Sequence, residues 1–275
     1  MKFKISYKNI LFFVGFLFCL TRQDVMAQNR KPMNLLNYDN EEYHFGFILA
    51  LNQMSYAFNY VENYQTTPHS ASEYPNASDA YYNANATYYI RSLVSAPKPG
   101  FTVGVVGNLR IGQQLDLRLI PSLSFGTRTI TYQMYREIPD KPSSYQALDK
   151  SILSTFIEFP LHVKYRSHRL NNVAAYVIAG GNFKFDLASQ KKSQIEMINA
   201  DGEHVTVTDN IRVKKTDIAA EIGAGFDFYN SYFKFGIEIK MSFGLLNVLD
   251  SQNLIYDSSL KSMKNRTLQL SLTFE

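Results

Sequence analysis

Charged residues recur at alternating positions within apolar stretches of this sequence. The basic ones are Arg110, Arg118, Arg128, Lys164, Lys184, Lys234 and Lys240, and the acidic ones are Asp116, Glu158, Asp186, Glu221, Asp227 and Glu238. Such a nearly balanced set on one polar face suits ion pairing, and we expect a salt-bridged plug. The alternative is a selective pore lined by charge, but a conducting lumen normally needs many more strands than this chain provides.

The histidines show no spacing that would assemble a metal site. They are His44, His69, His162, His168 and His204. We expect His162 to be a satisfied lumenal residue, and His69 and His204 to be solvated in loops. Segment 223–227 faintly resembles a phosphate-binding loop but lacks the required spacing, so its glycines more simply admit neighbouring side chains. The sequence predicts no catalytic, metal or cofactor site and no small-molecule substrate.

The elements that must position these residues are strands, because apolar and polar residues alternate from residue 100 onward. The apolar positions include Phe101, Val103, Val105, Leu109, Leu115, Leu117, Leu119, Leu123, Phe125, Ile157, Phe159, Leu161, Val163, Val177, Phe183, Ile218, Ile222, Phe226, Phe235, Ile237, Ile239, Met241, Leu268, Leu270 and Leu272. With a first strand at 43–60 and a last at 267–275, the pattern predicts eight strands.

The links between these strands alternate in length. Residues 112–114, 170–172 and 230–231 are tight turns, whereas 61–99, 136–150, 188–215 and 245–266 are long and polar. This alternation is typical of outer-membrane proteins. It predicts an all-β fold, an eight-stranded antiparallel up-and-down transmembrane β-barrel with short periplasmic turns and long extracellular loops.

A soluble barrel of the lipocalin kind is the alternative, with apolar residues inside. Three features favour the membrane. The polar face is rich in Gly, Ser and Asn, which suit a narrow interior. Aromatic residues cluster near one turn as an interfacial girdle, namely Phe226, Phe228, Tyr229, Tyr232 and Phe233. The chain also closes on an apolar alternating strand with a penultimate Phe274.

The N-terminus has the layout of an export signal. Lys2, Lys4 and Lys8 precede an apolar run at 10–20, and small or modest residues at 25–27 suit a cleavage site before Gln28. The run is too short to span a bilayer as a helix. We expect a signal peptide at 1–27, a periplasmic leader at 28–42 and the barrel at 43–275, with the mature protein in the outer membrane.

Removal of residues 1–27 changes the charge of the chain. The full sequence has 28 basic and 24 acidic residues, and the signal carries four basic (Lys2, Lys4, Lys8, Arg22) and one acidic (Asp24) of them. The mature net charge therefore falls from +4 to +1, which gives no argument for nucleic acid as a partner. Cys19, the only cysteine, is also lost, which excludes disulfides and thiol chemistry.

The first long link is rich in tyrosine. It contains Tyr64, Tyr74, Tyr81, Tyr82, Tyr88 and Tyr89. Tyrosine supplies large contact area at low entropic cost and is favoured at interfaces, although a variable loop that binds nothing is the alternative. This link, the other long links and the leader 28–42 are the candidate interaction surfaces.

Several short phrases together resemble the PorT family of outer-membrane barrels. They are residues 43–47 (YHFGF), 108–111 (NLRI), 115–121 (LDLRLIP), 125–126 (FG), 158–161 (EFPL), 164–165 (KY), 227–229 (DFY) and 274–275 (FE). Their order and spacing extend over nearly the whole mature chain.

The resemblance implies a part in the type IX secretion system, which exports folded cargo bearing a C-terminal sorting domain. It implies a non-enzymatic accessory or assembly component whose partners are outer-membrane lipid and other secretion-system proteins. The barrel size agrees, because eight strands cannot pass a folded protein. The alternatives are an outer-membrane enzyme, a narrow pore or an adhesin.

Overall fold

A computed structural model describes residues 33–73, 82–188, 194–198, 204–208, 211–251 and 255–275, with only the backbone at 194–198 and 204–208. The chain divides into two compact units, residues 1–33 and 34–275, and the second carries the fold. The predicted signal peptide lies outside the described residues. Among those residues, no helix has the length and apolar character of a membrane span.

Long strands dominate the described residues. In chain order they are β1 (Tyr43–Tyr60), β2 (Thr87–Arg110), β3 (Leu115–Leu119), β4 (Ser122–Glu137), β5 (Ser144–Arg166), β6 (Val173–Asp186), β7 (Gln194–Ile198), β8 (His204–Thr208), β9 (Arg212–Val213), β10 (Thr216–Tyr229), β11 (Lys234–Gly244), β12 (Leu249–Asp250) and β13 (Leu260–Phe274). The helical elements are two 3-10 turns, Tyr38–Asn40 and Ala71–Glu73, and a short helix α1, Ile255–Ser258.

Eight strands close into a ring, in which β3 and β4 are two parts of one strand interrupted at residues 120–121. Each is antiparallel to the next, in the order β1, β2, β3 with β4, β5, β6, β10, β11 and β13. The ring closes where β13 returns to β1, with Phe47 paired to Phe274 on one side and to Val105 on the other. The predicted eight-stranded up-and-down barrel is confirmed.

The polarity of the two barrel faces reverses along β4. Near its start, Leu123 points outward while Ser122 and Ser124 are buried inside. Ten residues further on, Ile130, Tyr132 and Met134 are the buried inner residues and Gln133 is exposed. Side chains keep the same alternation throughout, so the outward face of β4 changes from apolar near residue 123 to polar near residue 133. The barrel thus has a belt with an apolar outer face and an extension with a polar outer face.

This extension corrects the predicted loop lengths. The predicted loop 61–99 ends at residue 86, because β2 already begins at Thr87, and the predicted loop 136–150 shrinks to 138–143. The predicted loop 188–215 contains the hairpin of β7 and β8, and 245–266 contains β12, α1 and the start of β13. The alternation of short and long links was right, but much of the expected loop is strand.

The outer face of the belt is apolar, as predicted. Exposed outward residues include Phe45, Leu51, Phe101, Phe159, Val177, Ile222, Phe226, Ile239 and Leu270. Of the predicted girdle, Phe226, Tyr232 and Phe233 are exposed, but Tyr229 is not. Its ring is buried inside the barrel, because residue 229 falls on the inner side of the alternation that places Phe226 and Phe228 outside.

Candidate functional site: a filled lumen closed at both ends

The predicted plug exists, and its centre is the carboxylate of Glu221 on β10. This carboxylate lies 2.9 Å from Lys240 Nζ and 2.7 Å from His162 Nε2, and it accepts a hydrogen bond from Asn182 Nδ2 at 2.8 Å. Lys184 lies between Glu221 and Glu158, 3.5 Å from the latter. One connected cluster of side chains around Glu221 thus joins the four strands β5, β6, β10 and β11 inside the lumen. The lumenal location of His162 is confirmed.

A second layer of charges lies nearer the turns at 111–114, 167–172 and 230–233, which we call the turn end. Arg118 contacts Glu238 at 2.7 Å, Lys164 contacts Asp227 at 2.7 Å, and Lys234 contacts Glu275 at 2.7 Å. All these side chains are almost completely buried. Sequence reasoning missed Glu275, although the alternation that points Phe274 outward also points residue 275 inward.

One predicted lumenal charge is misplaced. Arg110 is only half-buried and donates from Nε to the carbonyl of Gly112, within the adjacent turn. It sits at the last residue of β2, where the strand leaves the barrel. The lumen therefore holds Arg118 and Arg128 from the predicted arginines, without Arg110.

The turn end is closed by the segment that precedes β1. The Asp39 carboxylate accepts hydrogen bonds from Arg166 Nη1 and from Arg169 Nη1, the latter at 3.3 Å. Tyr38 donates to Glu275 Oε2 at 3.1 Å and stacks on His44 with ring centroids 3.8 Å apart. Residues 34–42 of the predicted leader, which we call the floor segment, are therefore docked across the turn end of the barrel.

These contacts fix the charge state of Asp39. Burial opposes ionisation of the Asp39 carboxyl, but the guanidinium groups of Arg166 and Arg169 outweigh it and hold the pKa of this carboxyl below its ordinary value. Asp39 is thus an anion at neutral pH and ties the floor segment to β5 and to the following turn.

On the opposite side, Arg128 marks the boundary between charged and apolar interior. It contacts Asp186 at 2.9 Å and Asn265 Oδ1 at 2.5 Å, and its guanidinium lies 4.6 Å from the centroid of the Tyr56 ring. The Arg128 guanidinium also lies 5.0 Å from the centroid of the Phe156 ring. These side chains therefore pack against one another at this level of the lumen.

Above Arg128 lies an apolar cluster that we call the loop-end core. Its members are Tyr56, Ala71, Ala86, Tyr88, Ile90, Leu93, Ile130, Tyr132, Met134, Ile152, Ile211, Val213, Val248, Leu249, Ile255, Tyr256, Leu260 and Met263. It joins the extended strands β2, β4 and β5 to the segments before β10 and β13. Tyr88, predicted as an exposed loop residue, is fully buried here, and Tyr74 and Tyr81 lie outside the described residues.

Three side chains connect the first long loop to the last one beside this core, and we call them the polar clamp. They are His69, Glu73 and Ser258. His69 is only 4 % exposed; its Nδ1 lies 2.7 Å from Glu73 Oε2 and its Nε2 lies 3.3 Å from Ser258 Oγ. The predicted solvation of His69 was wrong, because the 3-10 turn 71–73 and helix α1 enclose its ring. The His204 side chain is not described.

The Ser258–His69–Glu73 order is that of a hydrolase triad. However, Ser258 Oγ also donates to the carbonyl of Ile255 at 3.0 Å, which occupies the hydroxyl proton that a general base would remove. The hydrogen bonds of His69 and Ser258 therefore connect the two loops and stabilise their packing. Within the described part of the chain, no group of three or more His, Cys, Asp or Glu side chains could hold a metal ion.

The glycines of 223–227 have the predicted packing role. A Cβ on Gly225 would lie 2.4 Å from the Ile237 carbonyl oxygen and 2.6 Å from the Tyr176 hydroxyl. Tyr176 in turn donates to Glu238 Oε2 at 3.1 Å. The absence of a side chain at residue 225 therefore lets a lumenal tyrosine reach the charge network.

A closed eight-stranded barrel with an apolar belt and a charged, filled lumen is the architecture of a small outer-membrane protein. Residues 26–250 match the family described as outer membrane protein beta-barrel domain. The chain belongs to this family, and it is an outer-membrane protein whose belt contacts lipid. The turn end accordingly faces the periplasm and the loop end faces the exterior.

Three solved structures are similar to this chain at low sequence identity. Neisserial surface protein A is 10% identical, with a TM-score of 0.38 over 85% of this chain and 98% of that one. OprG of Pseudomonas aeruginosa is 11% identical, with a TM-score of 0.36 over 85% and 93%. Ail, the attachment invasion locus protein of Yersinia pestis, is 10% identical, with a TM-score of 0.33 over 85% and 98%. No curated protein matches the sequence.

Proposed function

We propose that this protein is a non-enzymatic component of the type IX secretion system, acting through protein contacts in the assembly of the system or in the export of sorting-domain cargo. The observation that carries the proposal is the filled lumen. Arg118, Glu238, Lys164 and Asp227 occupy its interior and are buried from solvent, which favours a structural lumen over a conducting one. We therefore expect the function to lie at the loop end and on the outer surface of the barrel.

The resemblance to the PorT family supplies the particular system. The phrases that carry it include Asp116, Arg118, Glu158, Lys164 and Asp227, all of which are buried lumenal residues. The resemblance thus extends to the plug, beyond the generic apolar wall that any small barrel needs. This supports a relationship in which the barrel is a closed structural part.

The test is deletion of the gene, followed by measurement of where sorting-domain cargo accumulates. We expect cargo to disappear from the medium and to collect in the periplasm, and we expect the full-length gene to restore export. Normal export in the deletion strain would rule out the proposed role. Loss of an unrelated outer-membrane protein at the same time would indicate a general envelope defect, so the abundance of one such protein serves as control.

The enzyme alternative is tested at the clamp. If the protein acts without catalysis, Ser258→Ala restores cargo export as well as the wild-type gene does, and a fluorophosphonate probe labels neither protein. Labelling of Ser258 in the wild type, combined with failure of the alanine variant at normal abundance, would instead establish a serine hydrolase.

A further inference from the structure

Three tyrosines form a row on the outward face of the extracellular extension. Tyr135 on β4 is paired with Tyr89 on β2 and with Tyr145 on β5. The ring centroids are 5.9 Å apart for Tyr89 and Tyr135, and 4.7 Å apart for Tyr135 and Tyr145. Tyr145 is 72 % exposed. Contiguous apolar surface on a water-exposed face is more informative than single exposed residues, because it marks interaction sites.

Arg91 holds this row in place. A shift in the pairing of β2 and β4 falls between Ile90 and Ser92, at Arg91. Its guanidinium lies 5.2 Å from the Tyr89 centroid and 5.0 Å from the Tyr135 centroid. Nη1 donates to the carbonyl of Gln65 at 2.9 Å. The two rings are therefore fixed before any ligand arrives, which lowers the entropic cost of binding.

A groove of about 470 Å³ opens beside the row and shares Tyr135 with it. Its lining is Asn85, Thr87, Tyr135, Glu137, Ile138, Pro139, Lys141 and Ser143. The volume is in the range of small-molecule sites. The polar groups include a carboxylate, an ammonium, an amide and two hydroxyls within one site, so the groove offers both donors and acceptors.

We propose that this groove and the tyrosine row bind a carbohydrate chain. A sugar ring has hydroxyls that donate and accept at once, which suits the mixed lining, and an apolar C–H face that stacks on aromatic rings. Tyr145 is the member of the row with an exposed ring, which is therefore accessible to such a face. A purely anionic or purely cationic ligand fits less well, because Glu137 and Lys141 both lie among the lining groups.

The height of the groove argues against a lipid chain as the ligand. Phe125 is in the apolar belt, and Tyr135 follows it on β4 after a path of about 33 Å along the strand. With the usual barrel tilt, the groove then lies about 25 Å above that level. A saccharide at this height belongs either to a free polysaccharide or to the polysaccharide part of an outer-membrane glycolipid.

The test uses the full protein in detergent on an array of maltohexaose, cellohexaose, mannohexaose and chitohexaose, together with lipopolysaccharide from the source strain and its deacylated polysaccharide. We expect wild-type protein to bind at least one of these. Tyr135→Ala and Tyr145→Ala should each weaken that binding by about tenfold, as expected for loss of a stacking ring. Binding of the deacylated form as strongly as the intact lipopolysaccharide places recognition in the sugar.

Two control variants complete the test. Tyr135→Phe retains the ring and should bind nearly as well as wild type, and Tyr232→Ala removes a 92 % exposed tyrosine at the periplasmic end and should change nothing. Failure of the wild type to bind any of the probes, or equal binding by Tyr135→Ala, overturns the proposal. The assay does not involve cargo export, so it stands or fails independently of the secretion role.

Discussion

Arg128 illustrates at the scale of one residue how the lumen stays closed. A buried cation is costly to desolvate and is tolerated only where its partners are well placed. Arg128 has a carboxylate from β6, a side-chain amide from β13 and two aromatic rings. It therefore fastens strands that lie on different sides of the ring, at the level where the charged interior gives way to the loop-end core.

Arg128→Met should therefore destabilise the barrel by about 3–5 kcal/mol, because it leaves Asp186 buried without its cation. The measurement is the urea concentration at which half of the purified protein in detergent has lost its folded, heat-modifiable band on a gel. Arg266→Met is the matched control, since Arg266 is an exposed residue on β13, and it should shift the midpoint little. Equal midpoints for the two variants would contradict a structural plug.

Asp39 carries a prediction that depends on pH. The pKa of the Asp39 carboxyl is lowered in the folded protein from its ordinary value of 3.8. The contribution of Asp39 to docking of the floor segment is therefore fully present above that ordinary value. It is lost as the pH falls through the pKa of the folded protein. Asp39→Asn should weaken docking by about 1–3 kcal/mol at pH 7. The measurement is the hydrogen-exchange protection factor of residues 34–42, from which the pH dependence of intrinsic amide exchange has been removed. We expect lower protection in the variant, and unchanged protection between pH 7 and 5 in the wild type.

At the scale of the element, β2 explains where sequence reasoning fell short. Within the belt its apolar residues point outward, and the alternation was read correctly from residue 100 onward. In the extension, Tyr88, Ile90 and Leu93 point inward instead, and the shift at Arg91 breaks the two-residue spacing. The polarity of the outward face and the register both change along this strand, so residues 87–99 lack the regular period from which strands are recognised. The sequence therefore predicts a loop there.

The extension should be a separate unit of stability. Ile90→Ala removes a fully buried side chain from the loop-end core and should cost about 2–5 kcal/mol. Val94→Ala on the same strand alters a residue that is 57 % exposed and should stay within about 0.5 kcal/mol. Hydrogen exchange should show faster opening of 87–97 and 128–137 in the first variant only, with the belt unchanged. Simultaneous opening of the belt would show that the two zones unfold together.

For the whole molecule, the sequence was sufficient for the eight strands, their two faces and most of the lumenal charges, because each follows from a local period of two. It was not sufficient for contacts between distant residues. Asp39 with Arg166, and His69 with Ser258, are joined by the closure of the ring and by packing of loops on the core. No local pattern marks either pair, so the sequence does not predict these contacts at the two ends of the barrel.

The closure of both ends leads to a prediction for the intact protein, namely that it does not conduct ions. An ion would have to pass the segment around Asp39, two layers of paired charges and the loop-end core, whose described side chains are buried from solvent. Purified protein inserted in a planar bilayer should give no steady conductance steps at neutral pH, whereas a porin inserted in parallel should give them.

The Asp39→Asn variant, which weakens docking of the floor segment alone, should also give no conductance steps. The reason is that the charge layers and the loop-end core do not depend on Asp39. Reproducible steps from the wild type would show that the lumen opens in a membrane, and the secretion role would then have to be reconsidered in favour of a narrow pore.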